Sequence, residues 1–149
     1  MIQKCNGETA TNQRQKGGRA MPWEFREDAP IYTQLIAQIQ QRIVGGLLGP
    51  GARLPSVRDL AAEAGVNPNT MQRALTELER EGIVHSQRTA GRFVTEDAER
   101  IRQLREELAR QRVKDFLEGM CQLGFRRAEI LALITQEADE NAEGEEKTP

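Results

Sequence analysis

Two helix-start signals stand close together in the middle of the chain. Ser56 is followed three residues later by Asp59, the spacing of a capping box, in which each side chain can satisfy a free backbone donor at a helix start. Asn67 followed by Pro68 is a second start, because asparagine caps helix amides and proline is tolerated at the first helical position. Gly65 lies between them and permits a tight turn. The pattern therefore predicts two short helices joined by a glycine turn.

The second of these helices has two unlike faces. Helical spacing gathers apolar side chains on one face, namely Met71, Ala74, Leu75 and Leu78. The opposite face is polar and carries Asn69, Gln72, Arg73, Thr76 and Arg80. We expect the first face to pack in a core and the second to reach solvent.

A β-hairpin is predicted directly after the second helix. Gly82 ends that helix, and the apolar pairs at 83–84 and 93–94 indicate two strands. The loop between the strands holds Arg88, Gly91 and Arg92. Two helices joined by a tight turn and followed by a hairpin are typical of a winged helix-turn-helix, whose second helix enters the major groove of DNA.

We therefore predict a mainly α-helical fold with a small β-hairpin. Residues 21–95 are expected to form the winged helix-turn-helix DNA-binding domain, with its first helix beginning after Pro30. Residues 96–137 are expected to be a short two-helix dimerisation or effector segment. Residues 1–20 are expected to be a disordered arm, and residues 138–149 an acidic disordered tail.

The net charge of −2 conceals an uneven distribution. Residues 96–149 carry fourteen acidic and nine basic side chains, so the acidity is concentrated at the C-terminal end. No acidic residue occurs at 64–76 or at 82–95, the segments that hold the start of the second helix and the hairpin. Acidic side chains are thus absent where a DNA phosphate would approach.

Eight side chains are the candidate DNA contacts, namely Arg58, Asn67, Asn69, Thr70, Gln72, Arg73, Arg88 and Arg92. The amides of Asn69 and Gln72 can pair with both hydrogen-bonding groups of an adenine edge, while arginines fork onto guanine or grip phosphate. The side chains at the helix start suit phosphate oxygens. An alternative for Arg58 is that it is solvated or pairs with Asp59.

Several segments of the chain resemble the GntR family of bacterial regulators. The similarity spans about Trp23 to Thr95 and rests on Leu54-Pro55-Ser56-Val57-Arg58-Asp59-Leu60-Ala61, Val66-Asn67-Pro68-Asn69-Thr70-Met71-Gln72-Arg73-Ala74, Leu78-Glu79-Arg80-Glu81-Gly82 and Phe93-Val94-Thr95. The short C-terminal part, including Leu123-Gly124-Phe125, is similar to the YtrA subfamily.

The resemblance implies a role for each part of the chain. Members of the YtrA subfamily commonly repress genes near those for ABC transporters. In the family pattern, Arg58 contacts a base or the DNA backbone, residues 67–73 read the sequence, and the hairpin enters the minor groove. Two positions depart from that pattern: Pro68 stands where many members have arginine, and Ala90-Gly91-Arg92-Phe93-Val94 keeps one of the two usual wing glycines.

The C-terminal helices predict self-association. The apolar stripe of Ile101, Leu104 and Leu108, together with that of Val113, Phe116 and Leu117, exceeds what one short following helix can cover. We expect a homodimer held by residues after Thr95, and therefore an inverted-repeat operator. A small-molecule effector, if one exists, would bind between subunits, because about 40 ordered residues cannot enclose a pocket of ~300–1,000 Å³.

Other classes of protein fit the sequence poorly. No apolar run is long enough to cross a bilayer or serve as a signal peptide, which predicts a cytoplasmic protein. Cys5, Cys121 and His85 are too few and too scattered for a disulfide framework or a zinc site, so no metal or other cofactor is expected. An enzyme is not expected either, because no substrate domain follows. The alternative function is a winged-helix module that binds another protein instead of DNA.

Overall fold

The computed structural model describes residues 21–145. In chain order it contains α1 (Ile31–Val44), α2 (Val57–Ala64), α3 (Pro68–Arg80), β1 (Val84–Gln87), β2 (Gly91–Val94), α4 (Ala98–Gln122) and α5 (Arg127–Glu145). The predicted mainly helical fold with a small hairpin is confirmed. Residues 1–20, expected to be a disordered arm, lie outside the described residues.

Both predicted helix starts occur where the caps place them. The Ser56 Oγ accepts a hydrogen bond from the Asp59 backbone N–H at 3.1 Å, and the Asn67 Oδ1 accepts one from the Asn69 N–H at 2.8 Å. Gly65 ends α2 with a φ of 68°, in the left-handed region that residues with a Cβ rarely adopt. These local contacts set the turn that orients α3 against α2.

One hydrophobic core joins the first three helices, the hairpin and the start of α4. The apolar face predicted for α3 is entirely buried in it. The buried side chains include Leu35, Ile39, Ile43, Leu60, Met71, Leu75, Leu78, Ile83, Val84, Val94 and Leu104. Each large aliphatic side chain contributes about 1.5–3 kcal/mol when fully buried. This packing fixes which face of α3 remains in solvent.

The hairpin is attached to the segment that leads into α2. β1 and β2 are antiparallel, with Val84 opposite Val94. On the other side of β2, the Leu54 N–H donates to the Arg92 carbonyl at 2.8 Å, and the Val94 N–H donates to the Ala52 carbonyl at 2.9 Å. This isolated β-bridge between Arg53 and Phe93 was not predicted from the sequence. It ties the base of the wing, the hairpin of residues 84–94, to the start of α2.

Residues 21–26 form an extended arm without regular secondary structure. Trp23 and Phe25 stack on each other with ring centroids 6.4 Å apart, and both pack against the core. The buried Arg42 of α1 lies over the Trp23 ring at 3.6 Å and donates to the Met21 carbonyl at 2.7 Å. The arm therefore closes the domain on the side of α1.

The first half of α4 packs on the domain, and its second half extends beyond the core. Leu104 is buried in the common core, with Ile101 and Leu108 partly buried against it. Further along α4, in the connection after it and in α5, large apolar side chains are exposed, namely Val113, Phe116, Leu123, Phe125, Leu131 and Ile134. No helix within residues 21–145 is long and apolar enough to cross a membrane.

The last helix is longer than expected. α5 continues to Glu145, so residues 138–145, which we expected to belong to the disordered tail, are helical. This stretch is rich in alanine and glutamate, which have high helix propensity. The prediction of disorder rested on its acidity alone and was wrong for these residues. Residues 146–149 of the predicted tail lie outside the described residues.

Candidate DNA-binding surface

The face of α3 that points away from the core is polar and accessible. Asn69, Gln72, Arg73 and Thr76 are all exposed on it. The Gln72 Nε2 donates to the Thr76 Oγ1 at 3.3 Å, which orients the Gln72 amide along the helix. This face presents amide and guanidinium groups of the kind that recognise base edges in a major groove.

The first turn of α3 offers mainly donors. The Asn67 Oδ1 accepts the Asn69 N–H, whereas the amide N–H groups of the Asn67 side chain can still donate to a ligand. Thr70 is half-buried on the same turn. The free backbone N–H groups and the positive end of the helix dipole also lie here, and both favour a phosphate.

Arginines in residues 21–95 fall into two groups. Three form ion pairs with carboxylates: Arg26 with Asp28, Arg80 with Glu77, and Arg92 with Glu79. Four form no ion pair with any carboxylate of the described residues, and these are Arg53, Arg58, Arg73 and Arg88. The remaining one, Arg42, is buried under the N-terminal arm. The uncompensated positive charge therefore lies on the segment before α2, on α2, on α3 and on the wing.

Arg58 stands on the first turn of α2 and is exposed. The alternative in which it pairs with Asp59 does not occur in the structure, where the Asp59 backbone is engaged by the Ser56 cap. Its guanidinium makes no hydrogen bond within the described residues, so it is available to a ligand.

The two arginines predicted for the wing have different surroundings. Arg88 is exposed in the turn between β1 and β2. The Arg92 Nε donates to the Glu79 Oε1 at 3.0 Å, and the Ser86 hydroxyl donates to the same oxygen. The Arg92 side chain is only 22% exposed. Arg92 therefore fastens the wing to the end of α3, whereas Arg88 is unengaged.

Arg53 belongs to this surface and was missed by the sequence analysis. It is exposed, lies opposite Phe93 of β2, and its Nε comes within 3.3 Å of the position that a Cβ of Gly91 would occupy. Gly91 has a φ of 106°, so both its backbone and its neighbour favour glycine. The local sequence signals this contact only through the alternation of apolar and polar residues around Leu54. The partner, Phe93, lies 40 residues away along the chain.

His85 and Cys121 belong to different elements of the described residues, β1 and α4. Across residues 21–145, no cluster of three or more histidine, cysteine, aspartate or glutamate side chains is arranged to hold a metal ion. Cys121 is exposed on α4, and the exposed His85 stacks on Phe93 with ring centroids 5.9 Å apart. His85 is thus a surface contact of the wing.

A polar α3 face beside a capped α2 and an arginine-bearing hairpin defines a winged helix-turn-helix DNA-binding protein. The family model described as "Bacterial regulatory proteins, gntR family" matches residues 31–94. The uncharacterized HTH-type transcriptional regulator YhcF of Bacillus subtilis is 43% identical over 108 residues, which cover 72% of this chain and 89% of YhcF. The chain belongs to the GntR family and is a DNA-binding transcriptional regulator, not an enzyme.

Two further relatives support this assignment. A solved structure, described as a GntR family transcriptional regulator from Listeria monocytogenes, is 39% identical and superposes with a TM-score of 0.69 over 75% of this chain and 98% of its own. The HTH-type transcriptional repressor YtrA of Bacillus subtilis is 45% identical over 73 residues, which are 49% of this chain and 56% of YtrA. The similarity to YtrA thus covers little more than half of that protein.

Proposed function

We propose that this regulator represses transcription by binding, as a homodimer, to an inverted-repeat operator. The observation that carries the proposal is the exposed polar face of α3, which is free of acidic residues up to residue 76 and flanked by arginines without carboxylate partners. Such a face attracts phosphate and can read base edges at the same time.

Within the proposed interface, α3 sets the sequence preference. Asn69 and Gln72 read adenine edges through their amides, and Arg73 contacts guanine or an adjacent phosphate. The first turn of α3, with Asn67 and Thr70, binds a phosphate that fixes the depth of the helix in the groove. These assignments follow from the exposure and chemistry of the side chains.

The second group of residues grips the DNA backbone. Arg58 approaches from the start of α2, and Arg88 extends from the tip of the wing into or along the minor groove. Arg92 contributes chiefly by holding the wing, with any DNA contact made by its Nη groups. We add Arg53 to this group because it lies exposed beside Gly91, next to the turn of the wing.

The C-terminal helices form the proposed dimer interface. Seven large apolar side chains are exposed in the described residues, and six of them lie between Val113 and Ile134. Leu123 is 72% exposed and Leu131 is 60% exposed, which is unfavourable for a monomer in water. Association of this face with a second copy buries it and presents two α3 helices to two half-sites.

The proposed repression, the regulated genes and the effector rest on resemblance to the family. The relative YtrA is named a transcriptional repressor, and we assign the same sign of regulation to this chain. The regulated genes are proposed to lie nearby and to include an ABC transporter. An effector, still of unknown chemistry, would bind between the C-terminal helices of the two subunits in the cytoplasm.

Enrichment of genomic DNA by the full chain tests the operator. Sheared DNA from the source genome is bound to the protein at moderate salt, and the retained fragments are sequenced. We expect a few enriched regions that share an inverted repeat and include the promoter of a neighbouring operon. Uniform recovery of all fragments would contradict sequence-specific binding and would favour the alternative, a winged-helix module that binds another protein.

Light scattering tests the dimer. The full chain is expected to have twice the mass of one chain at micromolar concentration. Leu131→Glu places a charge on the exposed apolar face and should shift the population to monomers without unfolding, since residue 131 lies outside the core. Ala132→Glu is a control on the same helix. A wild-type monomer would contradict the dimer, as would equal effects of the two variants.

A further inference from the structure

The partner of Arg73 is not the one that helix spacing predicts. Glu77 lies four residues after Arg73 on α3, a spacing at which opposite charges usually pair. In the structure, Glu77 accepts a hydrogen bond from Arg80, which raises the pKa of Arg80 above its ordinary value. The Arg73 guanidinium lies over the ring of Tyr32 instead, 3.8 Å from the ring centroid.

An aromatic ring and a carboxylate affect a guanidinium differently. A carboxylate cancels the charge and occupies the N–H donors that would otherwise bind a phosphate or guanine. The face of a ring attracts the cation through its quadrupole but leaves the net charge and the in-plane N–H groups unchanged. Arg73 is therefore held in place without being neutralised.

The position of Tyr32 is set by the fold. Tyr32 is the second residue of α1, which packs against α3, and its ring is half-buried in a groove that Arg73 and Glu77 also line. Its hydroxyl makes no hydrogen bond to any described residue. The stacking contact with Arg73 is therefore the one specific interaction of the Tyr32 side chain among those residues.

We propose that Tyr32 is a positioning residue of the DNA-binding surface, which keeps Arg73 away from Glu77 and presents its guanidinium, still charged, to DNA. The proposal rests on the proposed function, in which Arg73 contacts the operator. It assigns a role to a residue of α1, outside the two helices and the hairpin that supply the expected contacts.

Two substitutions of Tyr32 test the ring directly. The probe is the duplex most enriched from genomic DNA by the wild-type protein. Tyr32→Leu should weaken binding by about two- to fivefold, the equivalent of a cation–π contact of about 0.5–1 kcal/mol. It should also reduce the salt dependence of binding by about one released counterion per subunit. Tyr32→Phe keeps the ring and should bind as the wild type does.

Glu77→Gln provides the rescue. In the wild-type background it should change affinity little beyond the loss of one acidic charge, because Glu77 is engaged with Arg80. In the Tyr32→Leu background it should restore most of the lost affinity and salt dependence, because the carboxylate that captures Arg73 is gone. Phe25→Leu is a matched control, since this aromatic ring packs on Trp23 and not on Arg73.

The possible outcomes separate the two proposals. A wild-type protein that enriches no sequence overturns the proposed function and this inference together. Specific wild-type binding overturns the inference alone in three cases: Tyr32→Leu binds normally, Tyr32→Phe loses as much as Tyr32→Leu, or Glu77→Gln has the same effect in both backgrounds. The last case would indicate general structural damage, which the melting temperatures of the variants would also reveal.

Discussion

Helix α3 and the wing each carry an arginine that a neighbouring side chain holds in place, but the two neighbours differ in charge. On α3, Arg73 lies over the neutral ring of Tyr32 at 3.8 Å. On the wing, Arg92 donates to the carboxylate of Glu79 at 3.0 Å. Both guanidiniums have a defined position, yet only the one on the wing is paired with a carboxylate of the described residues.

The difference shows that a count of basic residues does not tell where positive charge is left uncompensated. Arg92 and Arg88 lie in the same hairpin and were equal candidates from sequence, but only Arg88 is without a partner. A surface ion pair adds little stability, about 0–1 kcal/mol, so the pairing of Arg92 matters chiefly for its charge and its geometry. The two arginines thus differ in how they are held: Arg92 on the wing by an ion pair with Glu79, and Arg73 on α3 by the ring of Tyr32.

The largest effect is expected on the α3 side of the comparison. Arg73→Ala should weaken operator binding by about 1–3 kcal/mol per subunit, because it removes a charged contact that no neighbouring residue replaces. Titration of the wild type and the variant against the same duplex measures the loss. Arg80→Ala serves as the control, since Arg80 is already paired with Glu77. Equal losses in the two variants would contradict the special position of Arg73.

An intermediate effect is expected at the wing tip. Arg88→Ala should weaken all DNA sequences alike and lower the salt slope by about one per subunit, because an unpaired arginine grips phosphate without reading bases. Titrations at several salt concentrations against operator and scrambled duplexes measure both quantities. A loss confined to the operator would show instead that Arg88 reads a base.

A smaller loss of binding is expected at Arg92, which lies opposite Ser86 in the wing. Arg92→Ala should reduce the salt slope less than Arg88→Ala does, since Glu79 already compensates much of the Arg92 charge. It should also lower the free energy of unfolding by up to about 1 kcal/mol through loss of that ion pair. Denaturant unfolding and the same salt series give the two values. A salt slope reduced as much as by Arg88→Ala would remove the distinction between the two wing arginines.

The smallest effect, a gain in DNA affinity, is expected when Glu79, the partner of Arg92, is changed. Glu79→Gln should tighten binding to any duplex by about 0.5 kcal/mol, because Arg92 then carries an uncompensated charge. The variant keeps an amide oxygen that can still accept from Ser86 and Arg92, so the wing should remain in place. Binding to scrambled DNA measures the change. Weaker binding would mean that the Glu79 carboxylate is needed to hold the wing for DNA contact.

The sequence predicted best what local contacts determine. The starts of α2 and α3 followed from Ser56 and Asn67, whose side chains cap the backbone within three residues. The buried face of α3 followed from helical periodicity. Capping and periodicity act within one element, so the sequence of that element is enough to predict them.

Contacts between distant segments were not predictable in the same way. The β-bridge of Arg53 joins it to Phe93 of β2 across 40 residues, and nothing near Arg53 signals that partner. Whether an arginine is paired or free also depends on contacts between distant segments. Arg73, for example, contacts Tyr32, which precedes it by 41 residues. The helix at residues 138–145 is a different case, because its alanine and glutamate content favours a helix locally, whereas its acidity had suggested disorder.

The central claim is that the outer face of α3 reads DNA sequence, and one titration tests it most directly. The wild type and the double variant Asn69→Ala/Gln72→Ala are measured against the enriched duplex and a scrambled duplex of the same composition. We predict that the double variant loses about 1–3 kcal/mol of operator binding for each substitution and keeps its affinity for the scrambled duplex. An unchanged ratio of the two affinities would contradict the claim.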